Sequence, residues 1–404
     1  VNTIDTIWIV YALLGCLYWV WLAIGAFQVR ARVPRLDDLS VPEPDAWPKL
    51  SVIVPACNEA DTIEAAAATL SQQDYPHLEI LLVNDRSEDE TGTIIDRVAA
   101  ADPRVRAIHI TDLPAGWLGK VHALDRGCAA ADGQWLLLTD ADVHFSPGVL
   151  RRVIAWSVYR QLDHLAAAPE IWPSGLLLDA AVSAFLRSFC IGMRIWAVEN
   201  PRSGAYIGVG AFNLLRREAF ERTAGFEWLR LEVADDVGVG LLMKRSGARC
   251  GVLNAVGHVG LHWYSSLSKM LVGAEKGFGS VAGCSVWRML VAGTIASLLD
   301  LAPWLVLAAA MMLRSPWLSA AAGLMIFAHV VSAAVLSRWA SRRILPGILA
   351  PIMIPFAIVA LIRITWLGWR RGGVVWRGTL YPSRALRAGK RVWLGAGANA
   401  DRSE

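Results

Sequence analysis

Charge is scarce in this chain. Only 18% of its 404 residues are Asp, Glu, Lys or Arg, while 55% are hydrophobic. That balance excludes an ordinary soluble protein and points to membrane spans. Cysteine is sparse as well. Cys16, Cys57, Cys128, Cys190, Cys250 and Cys284 are widely scattered and none forms a C-x-x-C pair. Neither a zinc site nor a disulfide framework is expected. No Lys/Arg run interleaves with aromatics in the polar middle of the chain, and the net charge is only +4. A nucleic-acid partner is therefore not expected. His109, His122, His144 and His164 lack ligand-like spacing. No basic segment precedes the first apolar run, where Asp5 is the only charge. An uncleaved anchor is expected there rather than a removed leader.

Long apolar runs sit at both ends. Residues 7–27 carry no charge and are long enough to cross a bilayer as a helix. Arg30, Arg32 and Arg35 follow directly, which sets that end on the cytoplasmic side. Further apolar stretches cover 289–313, 317–337 and 344–362, the last holding Pro346, Pro351 and Pro355. Arg338, Arg342 and Arg343 mark a cytoplasmic loop. A basic tail (Arg363 to Arg391) marks another. Three full spans cannot leave both on one side, so either the proline-rich run is re-entrant or the tail breaks the charge rule. Re-entrance is the preferred expectation. Residues 264–278 carry apolar side chains on one side and read as an interfacial amphipathic helix or a core helix.

Between the apolar ends, strands alternate with helices. Short apolar strands are expected at 50–54, 79–83, 105–110 and 135–139, and helices at 60–70, 91–101 and 120–131. A strand at 206–215 and helices at 217–223 and 237–246 follow. The pattern predicts a mostly parallel sheet flanked by helices, an α/β fold that binds ligands at the C-terminal strand ends. Polar residues cluster at three such ends: Pro55-Ala-Cys-Asn58-Glu59, Asn84-Asp85-Arg86-Ser87 and Asp140-Ala-Asp142.

Two carboxylates closing an apolar strand are costly unless something pairs with them. A helix cap or Asx turn is one explanation, since Ser146-Pro147 follows. A divalent cation carrying a diphosphate is the other. Mg²⁺ and Mn²⁺ take oxygen ligands and keep several waters, so one or two side chains suffice. Asp142 is the expected direct ligand, with Asp140 facing a ribose or the cation. A hydroxyl attacking a diphosphate-activated sugar must lose its proton, and Asp235 or Asp236 is the candidate base. Asp85 could accept from a nucleobase N–H, and Lys120 could pair with a phosphate or a strand-end acid. Gly208 and Gly210 allow a close backbone approach.

These motifs, in this order over roughly residues 50–245, resemble glycosyltransferase family 2 of the GT-A fold. The pieces are Ser51-Val-Ile-Val-Pro55-Ala-Cys-Asn58-Glu59, Val83-Asn-Asp85-Arg-Ser87-Glu-Asp89, Gly119-Lys120-x-x-Ala123, Thr139-Asp140-Ala-Asp142 and Ala234-Asp235-Asp236-Val-Gly238. The resemblance implies inverting transfer from a nucleotide-sugar, most often a UDP-sugar. It implies that Pro55, Asn58, Glu59 and Asp85 line the nucleoside pocket, that Asp140 and Asp142 hold diphosphate and metal, and that the base is Asp236. Asp235 stands where the family often has Glu. The tail Gly373-Val-Val-Trp376-Arg377-Gly378-Thr-Leu-Tyr381 is similar to a membrane subgroup that includes hopene-associated and carotenoid-type glycosyltransferases. The Q-x-x-R-W signature of processive synthases is absent, and the region reads His262-Trp263-Tyr264. Trp263, Trp376 and Arg377 are candidate acceptor-side or interfacial residues.

The expected organisation is an anchor at 1–30, a linker at 31–48, a cytoplasmic GT-A domain at 49–260 and an interfacial segment at 261–286. Spanning or re-entrant segments at 287–368 and a basic tail at 369–404 complete it. The expected activity is transfer of one sugar to a membrane-lipid hydroxyl at the inner membrane. The Val1 start hints at a bacterial source. A processive synthase and a silent scaffold or sensor are the competing expectations.

Overall fold

The computed structural model describes residues 3–393. The chain divides into two compact units. One holds residues 33–172, 195–263 and the segment from 375 onward; the other holds residues up to 32, 173–194 and 264–374. The expected basic tail runs past residue 393, so its last eleven positions lie outside the described residues.

The first unit is the α/β body. Its strands are β1 (Leu50–Ala56), β2 (Leu78–Asp85), β3 (Val105–Ile110), β4 (Trp135–Leu138), β5 (His144–Phe145), β6 (His164–Ala168), β7 (Glu170–Ile171), β8 (Asn213–Arg216), β9 (Cys250–Asn254) and β10 (Val259–Leu261). Seven of them form one sheet in the order β3-β2-β1-β4-β8-β6-β9. β1, β2, β3 and β4 run parallel, and only β8 is reversed against its neighbours. β1 and β2 are buried along their whole length. Their continuous apolar runs suit a parallel sheet covered on both faces. β3 lies at an edge and exposes Arg106 and His109 in alternation with buried ends. Such charged edges block pairing with another sheet.

Short sequence signals build the helices between these strands. The Asp89 carboxylate accepts from the Thr91 N–H at 3.0 Å in a turn just ahead of helix Thr91–Ala101, whose Ile94 and Ile95 turn inward. Helix Gly119–Ala130 buries Val121, Ala123 and Leu124, and Gly127 lies close to Ile53 of β1. A second small sheet runs β5-β10-β7. His164 on β6 is buried, and its Nε2 meets Asn213 Oδ1 at 2.6 Å. Burial pushes its pKa down to about 4, as befits a neutral core histidine.

Two features add detail to the expectation. Residues 33–48, within the expected linker, pack in part on the α/β body. Leu36 is buried, Leu39, Val41 and Trp47 pack on the same core, and Asp37 meets His258 at 2.6 Å. The strand expected at 206–215 shrinks to β8. Residues 205–212 are irregular; there Gly208 lies against the Asp236 backbone and Gly210 against the Asp140 side chain.

The second unit is helical. Its long members are Thr3–Arg32, Leu176–Gly192, Val286–Leu313, Pro316–Trp339 and Ile354–Arg371. Among the described residues, five helices are long and apolar enough to cross a membrane. Leu176–Gly192 was not expected; it interrupts the sequence of the α/β body. Asp300, the charge that breaks the 289–313 run, bonds the Tyr18 hydroxyl at 2.9 Å and Arg187 at 3.0 Å. Arg187 also stacks on the buried Trp19 ring, 4.8 Å from its centre. Arg342 pairs with Asp179 at 2.9 Å. The proline-rich run forms a short helix Ile344–Ile348, a 3₁₀ turn Ala350–Met353 and then Ile354–Arg371. The 264–278 region is a string of short turns and helices. Its Glu275 holds Arg363 and Arg371 at 2.7 and 2.8 Å.

Candidate active site

Strand order decides where polar side chains gather. From β1 the sheet extends one way to β2 and β3 and the other way to β4, so the crevice opens at the C-terminal ends of β1 and β4. Cys57-Asn58-Glu59 leaves β1 there, and Thr139-Asp140-Ala141-Asp142 leaves β4. Because β8 is reversed, its first residue Asn213 pairs with Leu138 at the end of β4. The residues before it, Gly208 and Gly210, are thereby delivered to the same edge.

A single lysine ties this edge together. Lys120 Nζ, at the start of helix Gly119–Ala130, lies 2.7 Å from Asp140 and 3.3 Å from Asp235. Asp235 is buried and opens helix Asp235–Arg245. Burial alone would lower the lysine pKa, but Asp140, Asp235 and Asp236 outweigh it and hold the ammonium above its usual range. Asp236 Oδ2 accepts from the Gly210 N–H at 3.0 Å, and Oδ1 from the Val237 N–H at 2.8 Å. Burial, then the neighbouring Asp235, pushes its pKa up to about 6. Gly210 also lies against Asp140; a Cβ there would stand 2.7 Å from Oδ2.

Asp142 sits in a more acidic setting. Burial, then Asp140 and Glu59, pushes its pKa up to about 6. A cation between these oxygens would relieve that repulsion. Among the described residues no three His, Cys, Asp or Glu form a metal cage. Asp140 and Asp142 offer oxygen donors alone, the type that would suit a hard divalent ion keeping several waters.

The remaining expected residues divide. Asp85 is buried at the end of β2 and is gripped by Arg86, with Nε–Oδ1 at 2.8 Å and Nη2–Oδ2 at 3.2 Å. Asn58 is exposed and braces the loop instead: its Oδ1 accepts from the Glu88 N–H at 2.8 Å, and its own N–H donates to Ser87 at 3.0 Å. Pro55 is buried within β1 opposite Val83. Trp263 is half-buried beside His262 and is not a lining residue of the cleft described next.

A cleft open to solvent lies beside these residues. Asp85, Arg86, Gly119, Lys120 and Asp235 form one wall, and Trp376, Arg377, Thr379 and Tyr381 form the other. The second wall is a hairpin of β11 (Gly373–Trp376) and β12 (Thr379–Pro382). Its two-residue loop, Arg377-Gly378, has positive φ at both positions (46° and 77°). That is the conformation of a type I′ turn, unfavourable for arginine. Two contacts hold it: the guanidinium pairs with Glu59 at 2.7 Å and donates to the Cys57 carbonyl. Expected residues from both ends of the sequence thus meet in one site. Arg86, Thr379 and Tyr381 were not singled out from sequence. Tyr381 did carry a signal, as the end of the quoted tail motif.

Residues 51–224 match the family model described as glycosyl transferase family 2. Over that stretch the chain is similar to family 2 glycosyltransferases. It is 24% identical over 257 residues to the beta-monoglucosyldiacylglycerol synthase of Synechocystis sp., covering 61% of this chain and 50% of that protein. It is 34% identical over 116 residues to an uncharacterized glycosyltransferase, EpsJ, of Bacillus subtilis, covering 29% of this chain and 32% of that one. The chain thus spans about a third to a half of the length of these curated relatives. Among solved structures, a Pyrobaculum calidifontis mannosyltransferase in complex with GDP-Man and Mn2+ superposes with a TM-score of 0.52 at 21% identity. That match covers 90% of this chain and 99% of the other. The likeness extends to the GT-A fold.

Proposed function

We propose that this chain is a membrane-bound inverting glycosyltransferase that moves one sugar from a nucleotide-sugar, a UDP-sugar by preference, to a hydroxyl of a membrane lipid. The observation that carries the reading is Lys120, which lines the cleft and bridges Asp140, taken as the donor side, and Asp235, taken as the acceptor side. The acid beside Asp235, Asp236, is the base. Asp235 is neutralised by the lysine, whereas Asp236 is pushed up to about 6 and so accepts a proton more readily.

In the proposed step the acceptor hydroxyl oxygen bonds to the anomeric carbon while the bond from that carbon to the diphosphate oxygen breaks. Asp236 takes the hydroxyl proton, and the backbone N–H groups of Gly210 and Val237 fix its carboxylate. A divalent cation held by Asp140 and Asp142 would offset charge on the departing diphosphate. Lys120 adds positive charge on the same side. Asp85 and Arg86 address the base and ribose end, and Trp376 and Tyr381 offer flat faces opposite.

Five long apolar helices support a membrane location. The relative named as a glycolipid synthase supports a lipid acceptor. The proposed setting is the inner membrane of a bacterium, with the α/β body in the cytoplasm and the first helix as anchor. Membranes containing the chain, incubated with radiolabelled UDP-sugars, are expected to yield one lipid product with a single added sugar. A ladder of products would instead establish a processive synthase. No transfer from any nucleotide-sugar, with donor binding intact, would establish a silent sensor.

A further inference from the structure

The α/β body constrains how often the chain crosses the membrane. β4, which precedes helix Leu176–Gly192, pairs with β8, which follows it; β6 before it pairs with β9 after it. One folded sheet cannot lie on two sides of a bilayer, so residues 173–194 must cross an even number of times. Those 22 residues reach about 33 Å as a helix, enough for a single crossing. The only even count open to them is zero. The same holds for residues 264–374. The chain leaves the body at Trp263 and returns at Arg377, which pairs with Glu59 of that body. Three apolar helices in this stretch can therefore supply two crossings or none.

We propose that the chain crosses the membrane three times, by Thr3–Arg32, Val286–Leu313 and Pro316–Trp339. Helices Leu176–Gly192 and Ile354–Arg371 instead lie against the lipid of one leaflet without crossing. The inference rests on the membrane reading of the proposed function and adds the count and the sidedness. The two-residue connection Arg314-Ser315 makes Val286–Leu313 and Pro316–Trp339 an up-and-down pair. A lone Arg314 at that connection, against Arg338, Arg342 and Arg343 at the other end, sets the connection outside. Arg30 and Arg32 set the end of the first helix inside. Ile354–Arg371 has the character of a surface helix. Prolines break the run before it, while Arg363, Arg370 and Arg371 accompany exposed Ile362, Trp366 and Trp369. Leu176–Gly192 likewise exposes Leu176, Leu177 and Phe185, and its two charges, Asp179 and Arg187, are each paired. The partner of these exposed faces is the hydrocarbon edge of the bilayer.

The test uses the full chain with its six cysteines replaced by serine, carrying one new cysteine at a time. The substitutions are Ser40→Cys, Arg202→Cys, Ser315→Cys, Ser341→Cys and Ser383→Cys, probed with a membrane-impermeant maleimide in sealed vesicles of both orientations. Residues 40, 202, 341 and 383 are expected to label from the cytoplasmic side only, and residue 315 from the opposite side only. Labelling of 202 opposite to 40 would overturn the assignment of Leu176–Gly192. Labelling of 383 opposite to 341 would overturn that of Ile354–Arg371, and 315 on the cytoplasmic side would overturn the paired crossing. Tryptic cleavage of the unmodified chain in the same vesicles reads sidedness at Arg202 and Arg314 without substitution. Release of the chain by alkaline carbonate would instead refute the membrane reading itself, a result distinct from any labelling pattern.

Discussion

Lys120 sits between two acids, and each acid around it has a separable consequence. Asp142, crowded by Asp140 and Glu59, is the carboxylate that gains most from a cation. Asp142→Ala is expected to cut turnover by about a hundredfold or more while membrane insertion persists, and chelation of divalent ions to do the same to the unaltered chain. Sugar transfer assayed with and without added Mn²⁺ checks both. As the proposed base, Asp236 would act only when ionised. Its pKa is raised to about 6, so kcat/KM is expected to fall as pH drops through that region and to level off above neutral. A pH–rate profile measures this. Asp236→Asn should remove the limb along with about two to four orders of magnitude of rate. That these acids gather at one edge of the sheet was legible in the sequence, because strand-end acids must be justified by a ligand or a cation and the order of the motifs is specific. The roles of Asn58 and Pro55 were not. A short polar side chain in a loop and a proline at a strand end read alike whether they touch ligand or only shape the loop, and here Asn58 hydrogen-bonds Glu88 and Ser87.

Among the elements, the irregular stretch ahead of β8 and the C-terminal hairpin give the cleft its shape. Gly208 lies so close to the Asp236 carbonyl that a Cβ would overlap it. Gly208→Ala is expected to destabilise the body by about 1–3 kcal/mol and to displace the base, lowering both melting temperature and rate. Gly192→Ala, with open space around it, is the control expected to change neither. The segment that follows the hairpin and helix Ser383–Gly389 is anchored by Glu232, which is buried and accepts from the N–H groups of Arg391 and Val392 at 2.6 and 2.9 Å. Glu232→Ala would leave those donors unpaired at a cost of about 1–3 kcal/mol. The segment around residues 383–393 should then be cut sooner in limited proteolysis, and the KM for donor should rise before kcat falls. The parallel strands β1 to β4 could be read from apolar runs broken by turn residues. β5, β7 and β10 could not, since two- and three-residue strands have no periodicity and exist only through their partners.

Over the whole molecule, the architecture was legible at its ends and hidden in its middle. The apolar termini stand out by composition. Helix Leu176–Gly192 does not, because Asp179 and Arg187 interrupt its 17 residues and both charges are satisfied by partners distant in sequence. Residues 33–48 looked like a tether because prolines and charges dominate them, yet Leu36 and Trp47 are apolar and pack on the core.

The reversed strand β8 also sets a timetable for synthesis. The strands β1 to β4 emerge first and can assemble at once, but the open flank of β4 waits for Asn213–Arg216, roughly 75 residues later. At typical translation speeds that is a wait of about 4–15 s. Throughout it the nascent chain carries a bare, apolar hydrogen-bonding edge while an apolar helix leaves the ribosome. Chains arrested just short of residue 213 are expected to bind chaperone or aggregate, and chains arrested well beyond residue 254 to be protease-resistant, as read by digestion of stalled ribosome complexes. For this chain, the hazard of birth lies in the interval before a four-residue strand arrives.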